Sequence, residues 1–220
     1  MTPPDPIVDG HGPDATHPPG PAHERLAEAL RRVTNQLVLT AATPEQIEAA
    51  AAQVEAAAAA LEPATPQWTL SVPAFMSSRD PHGYFPFSPQ IGLYNPLAPP
   101  MRVAIDDDDT VRGAVNLDAA YEGPPGCVHG GIIASLFDEI LGIANITAGV
   151  GAMTGTLTIM YRRPTPLQAD LVFTARTDRV EGRKVFTRGT LHAGDTLCCE
   201  CEGIFIVIDH ERWQGKRPQS

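Results

Sequence analysis

Apolar residues recur at helical spacing through the first part of the chain. The stripe they form, at three- and four-residue steps, predicts an amphipathic helix. It consists of Leu26, Leu30, Val33, Leu37 and Val38. Thr43, Pro44 and Gln46 predict a second helix start, because they supply a capping box and a first-turn proline before alanine-rich residues 49–60. We interpret residues 23–62 as a helical extension in front of the main domain.

The pattern changes to short strand-like segments from residue 101 onward. Two of them, MRVAID and TVRGAVNL, are joined by an acidic turn. Four more lie near 153–162, 168–180, 183–194 and 196–209. Residues 130–148, between the two groups, are apolar around nearly the whole circumference, which is typical of a buried helix. Residues 101–210 are therefore predicted to form an α+β domain, with an antiparallel sheet wrapped around one central buried helix.

Proline marks the segments outside these elements. Residues 1–22 hold seven prolines and few large apolar groups, which predicts a disordered tail. Residues 63–100 hold nine prolines together with several aromatics, so we expect an extended segment packed on the domain or on a partner subunit. Residues 211–220 are expected to form a short C-terminal tail.

Composition limits the classes of binding partner and the cellular compartment that we expect for this protein. The net charge of −10 argues against nucleic acid and against anionic membrane surfaces. No run of about 18 apolar residues is present, so no membrane span is expected, and the first residues lack the features of a signal or transit peptide. Three of the four cysteines crowd into residues 198–201, which suits reduced thiols in a cytoplasmic protein.

Two glycines open the predicted buried helix. Gly130 and Gly131 would let the backbone approach a ligand, and a helix N-terminus favours negative charge. A carbonyl oxygen that becomes an oxyanion fits such a place. The same His-Gly-Gly motif is also explained by a tight loop that leads into a helix, with His129 as a structural residue.

Two adjacent acids interrupt the apolar helix. A buried carboxylate costs several kcal/mol unless it is paired or hydrogen-bonded, so Asp138 and Glu139 require an explanation. They point about 100° apart and cannot both occupy one site. The pattern does not choose between them, and one acid could cap a neighbouring group while the other reaches solvent.

Basic residues concentrate in the second half of the chain. Residues 162–188 carry seven basic and three acidic side chains. Solvated strand edges protected by charge account for this excess. A site for a phosphorylated ligand accounts for it equally well, because guanidinium groups bind phosphate bidentately.

Three motifs together resemble one family. VHGGIIASLFDEILG is similar to the helix motif of hotdog-fold acyl-CoA thioesterases. YRRPTPL and VEGRK look like the branch that includes the animal mitochondrial acyl-CoA thioesterases. The resemblance covers roughly residues 100–209 and implies a hotdog fold and hydrolysis of an acyl-CoA to a carboxylic acid and free CoA.

The resemblance also implies roles for residues of this chain. His129 would position the thioester carbonyl, Gly130 and Gly131 would polarise it, Asp138 would be the catalytic acid, and Thr154 would assist the water or the acid. Arg162, Arg163, Arg183 and Lys184 are implied as contacts for the coenzyme A phosphates. The family uses no metal and no cofactor, and it works as a homodimer or a dimer of dimers with active sites at the subunit interface.

Two other functions remain open from the sequence. Hotdog hydratases and dehydratases carry the histidine after the acid, whereas here His129 precedes Asp138 and the next histidine is His192. A non-catalytic acyl-CoA-binding module would not need the full set of His129, Asp138 and Thr154. Whether Asp138 acts as a general base or as a nucleophile is equally open.

Overall fold

The computed structural model describes residues 20–62 and 79–207. The chain divides into two compact units, Met1–Phe75 and Met76–Ser220, which are described separately. The predicted tail at 211–220 and nearly all of the predicted tail at 1–22 lie outside the described residues, as do residues 63–78.

The first unit contains two helices, α1 (Pro21–Leu39) and α2 (Pro44–Leu61). The predicted capping box of α2 is confirmed. Thr43 Oγ1 accepts a hydrogen bond from the Gln46 amide at 3.4 Å, and Gln46 Oε1 accepts one from the Thr43 amide at 2.9 Å. Local sequence thus defines the start of this helix.

The second unit is built on a six-stranded antiparallel sheet. Its elements are α3 (Pro81–Tyr84), β1 (Arg102–Ile105), β2 (Val111–Asn116), α4 (Gly130–Thr147), β3 (Ala152–Tyr161), β4 (Asp170–Glu181), β5 (Lys184–Ala193) and β6 (Thr196–Val207). The strand order is β1-β2-β4-β5-β6-β3, which leaves β1 and β3 as the edges. Gly182 and Gly194 take φ values of +59° and +55° in the tight turns of the β4–β5–β6 meander, where glycine is favoured.

The helix α4 packs on one face of this sheet and forms the core with it. The helix buries Ile133, Leu136, Phe137, Ile140, Leu141, Ile143 and Ala144. A Cβ on Gly203 would lie 2.9 Å from Leu141 Cδ2, and one on Gly189 would lie 3.0 Å from Leu141 Cδ1. Glycine in β5 and β6 therefore lets the helix approach the strands closely. The predicted α+β hotdog fold, with helices before it, is confirmed.

The apolar character of α4 has a structural explanation. Among the described residues, α4 is the one helix whose length and composition would fit a membrane span. Its buried face is covered by the sheet, and the core helix of a folded domain meets the same two criteria.

The described part of the proline-rich segment, residues 79–100, is tied to the second unit. His82 Nε2 accepts a hydrogen bond from the Val103 amide at 2.9 Å, while its Nδ1 lies 3.0 Å from the Ile91 carbonyl oxygen. Ile91 and Ala98 are buried in the core. Side chains rather than regular backbone pairing hold this segment in place.

Candidate active site

His129 caps the N-terminus of α4. Its Nδ1 accepts a hydrogen bond from the Gly131 amide at 3.0 Å, so Nε2 carries the proton of the neutral ring. The His129 amide donates to the Tyr121 carbonyl oxygen at 2.9 Å. A Cβ on Gly123 would lie 2.7 Å from His129 Cα, so a glycine there lets the preceding loop close on the cap. The residue as a whole is exposed.

One amide at this helix terminus, that of Gly130, has no partner in the part of the chain that the structure describes. Among the described residues, no group accepts a hydrogen bond from the Gly130 N–H, whereas the Gly131 N–H is taken by His129. This corrects the expectation that both glycine amides face a substrate. The His129 carbonyl oxygen accepts from the Ile132 and Ile133 amides at 3.0 and 3.2 Å, which polarises the peptide that carries the Gly130 N–H.

Asp138 lies two turns along α4 and is partly exposed. Thr154 Oγ1 donates a 2.6 Å hydrogen bond to Asp138 Oδ1. The register of β3 against β6 shifts between Thr154 and Thr156, so Gly155 is the extra residue of a bulge. A Cβ on Gly155 would lie 3.1 Å from the Ile204 carbonyl oxygen. The bulge re-aims Thr154 towards the helix, and the structure brings together these two predicted residues.

The neighbouring acid has a different partner. Ser88 Oγ donates to Glu139 Oε1 at 2.9 Å, and the same hydroxyl accepts from the Gln90 amide at 3.0 Å. Burial raises the pKa of Glu139, and the charge of Asp138 adds to that shift. Glu139 therefore anchors the 79–100 segment, while Asp138 faces the edge strand.

Tyr161 also contacts this site, although no sequence motif indicated a role for it. Its hydroxyl donates to the Gly130 carbonyl oxygen at 2.9 Å from the last residue of β3. Strand alternation places Tyr161 on the same face as Leu157 and Ile159, which pack against the core. That alternation is the sequence signal that could have placed Tyr161 on the inner face of β3. Its hydrogen bond to the helix terminus depends on the tertiary packing.

The cysteines near the site are buried thiols. Burial, with smaller contributions from Asp138 and neighbouring acidic groups, raises the pKa of Cys201 to about 12, and burial also raises the pKa of Cys199. A thiol of that kind carries little thiolate at neutral pH and is a poor nucleophile. All four cysteines are free.

The four predicted phosphate-binding cations lie in two groups. Arg162 forms a 2.5 Å ion pair with Glu200, and Arg163 donates to the Leu197 carbonyl oxygen at 3.5 Å, both near the start of β6. At the other end, Arg183 donates to the Val207 carbonyl oxygen at 3.4 Å and Lys184 pairs with Ile206. Ten strand residues span about 33 Å, so a single chain does not bring the two groups to one phosphate.

The two groups of basic residues lie near different parts of the candidate site. Arg162 and Arg163 directly follow Tyr161, which bonds to Gly130. Lys184 pairs with Ile206, next to Phe205, which is the register partner of Thr154. The first pair thus follows Tyr161 at the end of β3, and the second lies two strands away from Thr154 at the other end of β6.

Comparison with known proteins gives the class. The profile described as "Thioesterase superfamily" matches residues 125–200. A crystal structure described as a thioesterase superfamily protein is 36% identical, covers 86% of this chain and 92% of that one, and superposes with a TM-score of 0.76. The chain belongs to the thioesterase superfamily.

Curated relatives match a shorter stretch. Acyl-coenzyme A thioesterase THEM4 of Mus musculus is 41% identical over 93 residues, which cover 41% of this chain and 40% of that protein. Acyl-coenzyme A thioesterase THEM5 of Homo sapiens is 30% identical over 92 residues, 41% of this chain and 37% of that protein. The chain spans about two fifths of the length of these relatives.

Proposed function

We propose that this protein is an acyl-CoA thioesterase that hydrolyses an acyl-CoA to a carboxylic acid and free CoA. The observation that carries the proposal is the Asp138 carboxylate, partly exposed on a largely apolar helix and held at 2.6 Å by Thr154. The names of the THEM4 and THEM5 relatives support the same reaction and the same substrate class.

The chemistry assigns one task to the N-terminus of α4 and another to Asp138, in the middle of the helix. The Gly130 N–H donates to the thioester oxygen and stabilises its developing negative charge, an effect of about 3–4 kcal/mol in comparable sites. Asp138 takes a proton from water while the water oxygen attacks the carbonyl carbon; the carbon–sulfur bond then breaks, CoA leaves as the thiolate, and Asp138 gives up its proton to that thiolate or to solvent. Direct attack by the carboxylate would instead form an anhydride that water cleaves.

Geometry argues that one site needs two chains. Gly130 and Asp138 are eight residues apart on α4, about 12 Å along the axis, so both cannot contact one carbonyl group from a single helix. Two copies arranged antiparallel would place Gly130 of one copy near Asp138 of the other. The same arrangement would bring the Arg162 and Arg163 pair of one chain towards the Arg183 and Lys184 pair of the other.

The edge strand supports pairing of two copies. β3 is ten residues long, lies at the edge of the sheet and carries the exposed apolar side chains of Met153, Met160 and Tyr161. A long open edge of this kind is a template for strand addition. We propose a homodimer joined along β3, from which a dimer of dimers can be assembled.

A panel of acyl-CoAs of different chain length, with a thiol reagent that reports free CoA, tests the proposed reaction. The wild-type protein should release thiol, and Asp138→Asn should lose nearly all turnover while it still binds the same acyl-CoA. Tight binding by the wild type without thiol release would favour the non-catalytic binding module. Ordinary turnover by Asp138→Asn would reject the role of Asp138.

A further inference from the structure

The peptide group between Gly130 and Gly131 is held at both of its polar atoms. Its oxygen, the Gly130 carbonyl, accepts from the Tyr161 hydroxyl at 2.9 Å. Its N–H, which belongs to Gly131, donates to His129 Nδ1 at 3.0 Å. The Gly130 N–H, which has no partner among the described residues, lies on the adjacent peptide across Gly130 Cα.

Glycine makes this restraint necessary. The peptide that carries the Gly130 N–H is held through the His129 carbonyl oxygen by the Ile132 and Ile133 amides. The angle between it and the next peptide varies freely at a glycine Cα unless contacts such as that from Tyr161 restrain it. At the first position of a helix the usual intrahelical partner of that N–H is also missing. Donors that stabilise an oxyanion must already point at its position before charge develops.

We propose that Tyr161 is a positioning residue for hydrolysis, whose hydroxyl fixes the orientation of the Gly130 N–H towards the thioester oxygen. The inference rests on the proposed thioesterase function and adds a residue to its machinery. Tyr161 and Thr154 belong to the same strand, so β3 orients both the oxyanion donor and the Asp138 carboxylate.

The environment of Tyr161 suits a donor that stays protonated. Burial and the neighbouring Cys199 and Cys201 thiols raise the pKa of the phenol. A Cβ on Gly130 would lie 3.3 Å from the Tyr161 hydroxyl oxygen and 3.5 Å from its ring carbon Cζ, so the end of the ring lies against the glycine. The hydroxyl end of the ring thus lies against the helix terminus, while 53% of the residue is exposed at the β3 edge.

The test is Tyr161→Phe, which removes the hydroxyl and keeps the ring. We expect kcat to fall on the order of tenfold, because one hydrogen bond that orients the donor is lost. KM for the acyl-CoA should stay within about twofold and the pH–rate profile should keep its shape, since the phenol transfers no proton. Tyr94→Phe, which removes a tyrosine hydroxyl from the 79–100 segment, is the matched control and should behave as wild type.

A second measurement does not depend on turnover. Benzoyl-CoA is bound to Asp138→Asn, with and without Tyr161→Phe, and the infrared stretch of its thioester carbonyl is recorded. Oriented Gly130 should shift this stretch to lower frequency than in free benzoyl-CoA, and the Tyr161→Phe variant should shift it back. The same carbonyl frequency in both proteins, or a wild-type kcat in Tyr161→Phe, overturns the inference.

The outcomes for the two proposals are separate. Absence of hydrolysis by the wild type, together with a carbonyl shift that depends on Tyr161, would reject the thioesterase and retain Tyr161 as the residue that orients the Gly130 N–H towards a bound thioester. Hydrolysis that depends on Asp138 but not on Tyr161 would retain the thioesterase and reject the role of Tyr161. A change in KM alone at constant kcat would make Tyr161 a substrate contact and also overturn the positioning role.

Discussion

Thr154 Oγ1 lies 2.6 Å from Asp138 Oδ1 and joins the edge strand β3 to the central helix α4. A hydrogen bond from a hydroxyl to a carboxylate is short and strong when the acceptor is ionised. The bond leaves the second carboxylate oxygen of Asp138 available for a water molecule or for a carbonyl carbon. Thr154 thus fixes the direction in which the acid acts.

Removal of the Thr154 hydroxyl should therefore lower the rate. Thr154→Val keeps the shape of the side chain, and we expect kcat to fall by about one to two orders of magnitude because the carboxylate loses its orientation. Thr154→Ser keeps the hydroxyl and should retain most of the activity. Steady-state kinetics on one acyl-CoA compare the two variants; equal losses in both would assign the effect to packing.

Glu139 predicts a pH-dependent stability. Its pKa is raised because burial disfavours the carboxylate, so ionisation costs the folded state free energy. That cost is absent below the ordinary pKa of 4.5 and grows to its full value as the pH rises through the raised pKa. Glu139→Gln removes the charge and keeps an acceptor for Ser88, so its unfolding midpoint should exceed that of wild type at neutral pH.

The advantage of Glu139→Gln should vanish as the pH falls below about 4.5, which thermal unfolding at several pH values would reveal. Glu48→Gln, on an exposed turn of α2, controls for the change in net charge. A lower midpoint for Glu139→Gln at neutral pH would show that the ionised carboxylate stabilises the 79–100 segment.

Substitution of Asn145, at the far end of the same helix, should lower the free energy of unfolding. It is fully buried, and its Oδ1 accepts from the Thr177 and Thr187 hydroxyls of β4 and β5. Asn145→Ala leaves the buried Thr187 hydroxyl and the partly buried Thr177 hydroxyl without this acceptor, at about 1–3 kcal/mol for a buried group and less for a partly buried one. Chemical denaturation should therefore show a loss of about 2–4 kcal/mol, whereas the triple change with Thr177→Val and Thr187→Val should recover part of it.

The strands, the helix and their order follow from local patterns in the sequence. Alternation and glycine turns at 182 and 194 predict the β4–β5–β6 meander, and the apolar circumference of 130–148 predicts α4. These features depend on residues close together along the chain. The capping box of Thr43 and Gln46 is predictable for the same reason.

The details of the site depend on contacts between distant segments. The bulge at Gly155 re-aims Thr154, and no single-sequence pattern distinguishes that glycine from a turn. Glu139, rather than Asp138, receives the hydrogen bond from Ser88, which lies about 50 residues earlier in the chain. The bond from Tyr161 to the Gly130 carbonyl oxygen likewise arises only when the helix terminus meets β3, whereas the cap of the Gly131 amide by His129 is local.

A mixed oligomer tests the shared site most directly. Gly130→Pro removes the free N–H at a first-turn position that tolerates proline, and the extended backbone of His129 (φ −62°, ψ 131°) suits the residue before a proline. Asp138→Asn removes the carboxylate. Each variant alone should be nearly inactive towards the acyl-CoA that the wild type hydrolyses best.

The decisive measurement is the activity of a mixed oligomer with one chain of each variant, co-expressed with two different tags and purified through both. One of its two sites would combine the intact Gly130 of one chain with the intact Asp138 of the other, so we predict about half of the wild-type kcat for a dimer. Activity no higher than that of the separate variants would contradict a catalytic centre made by two chains.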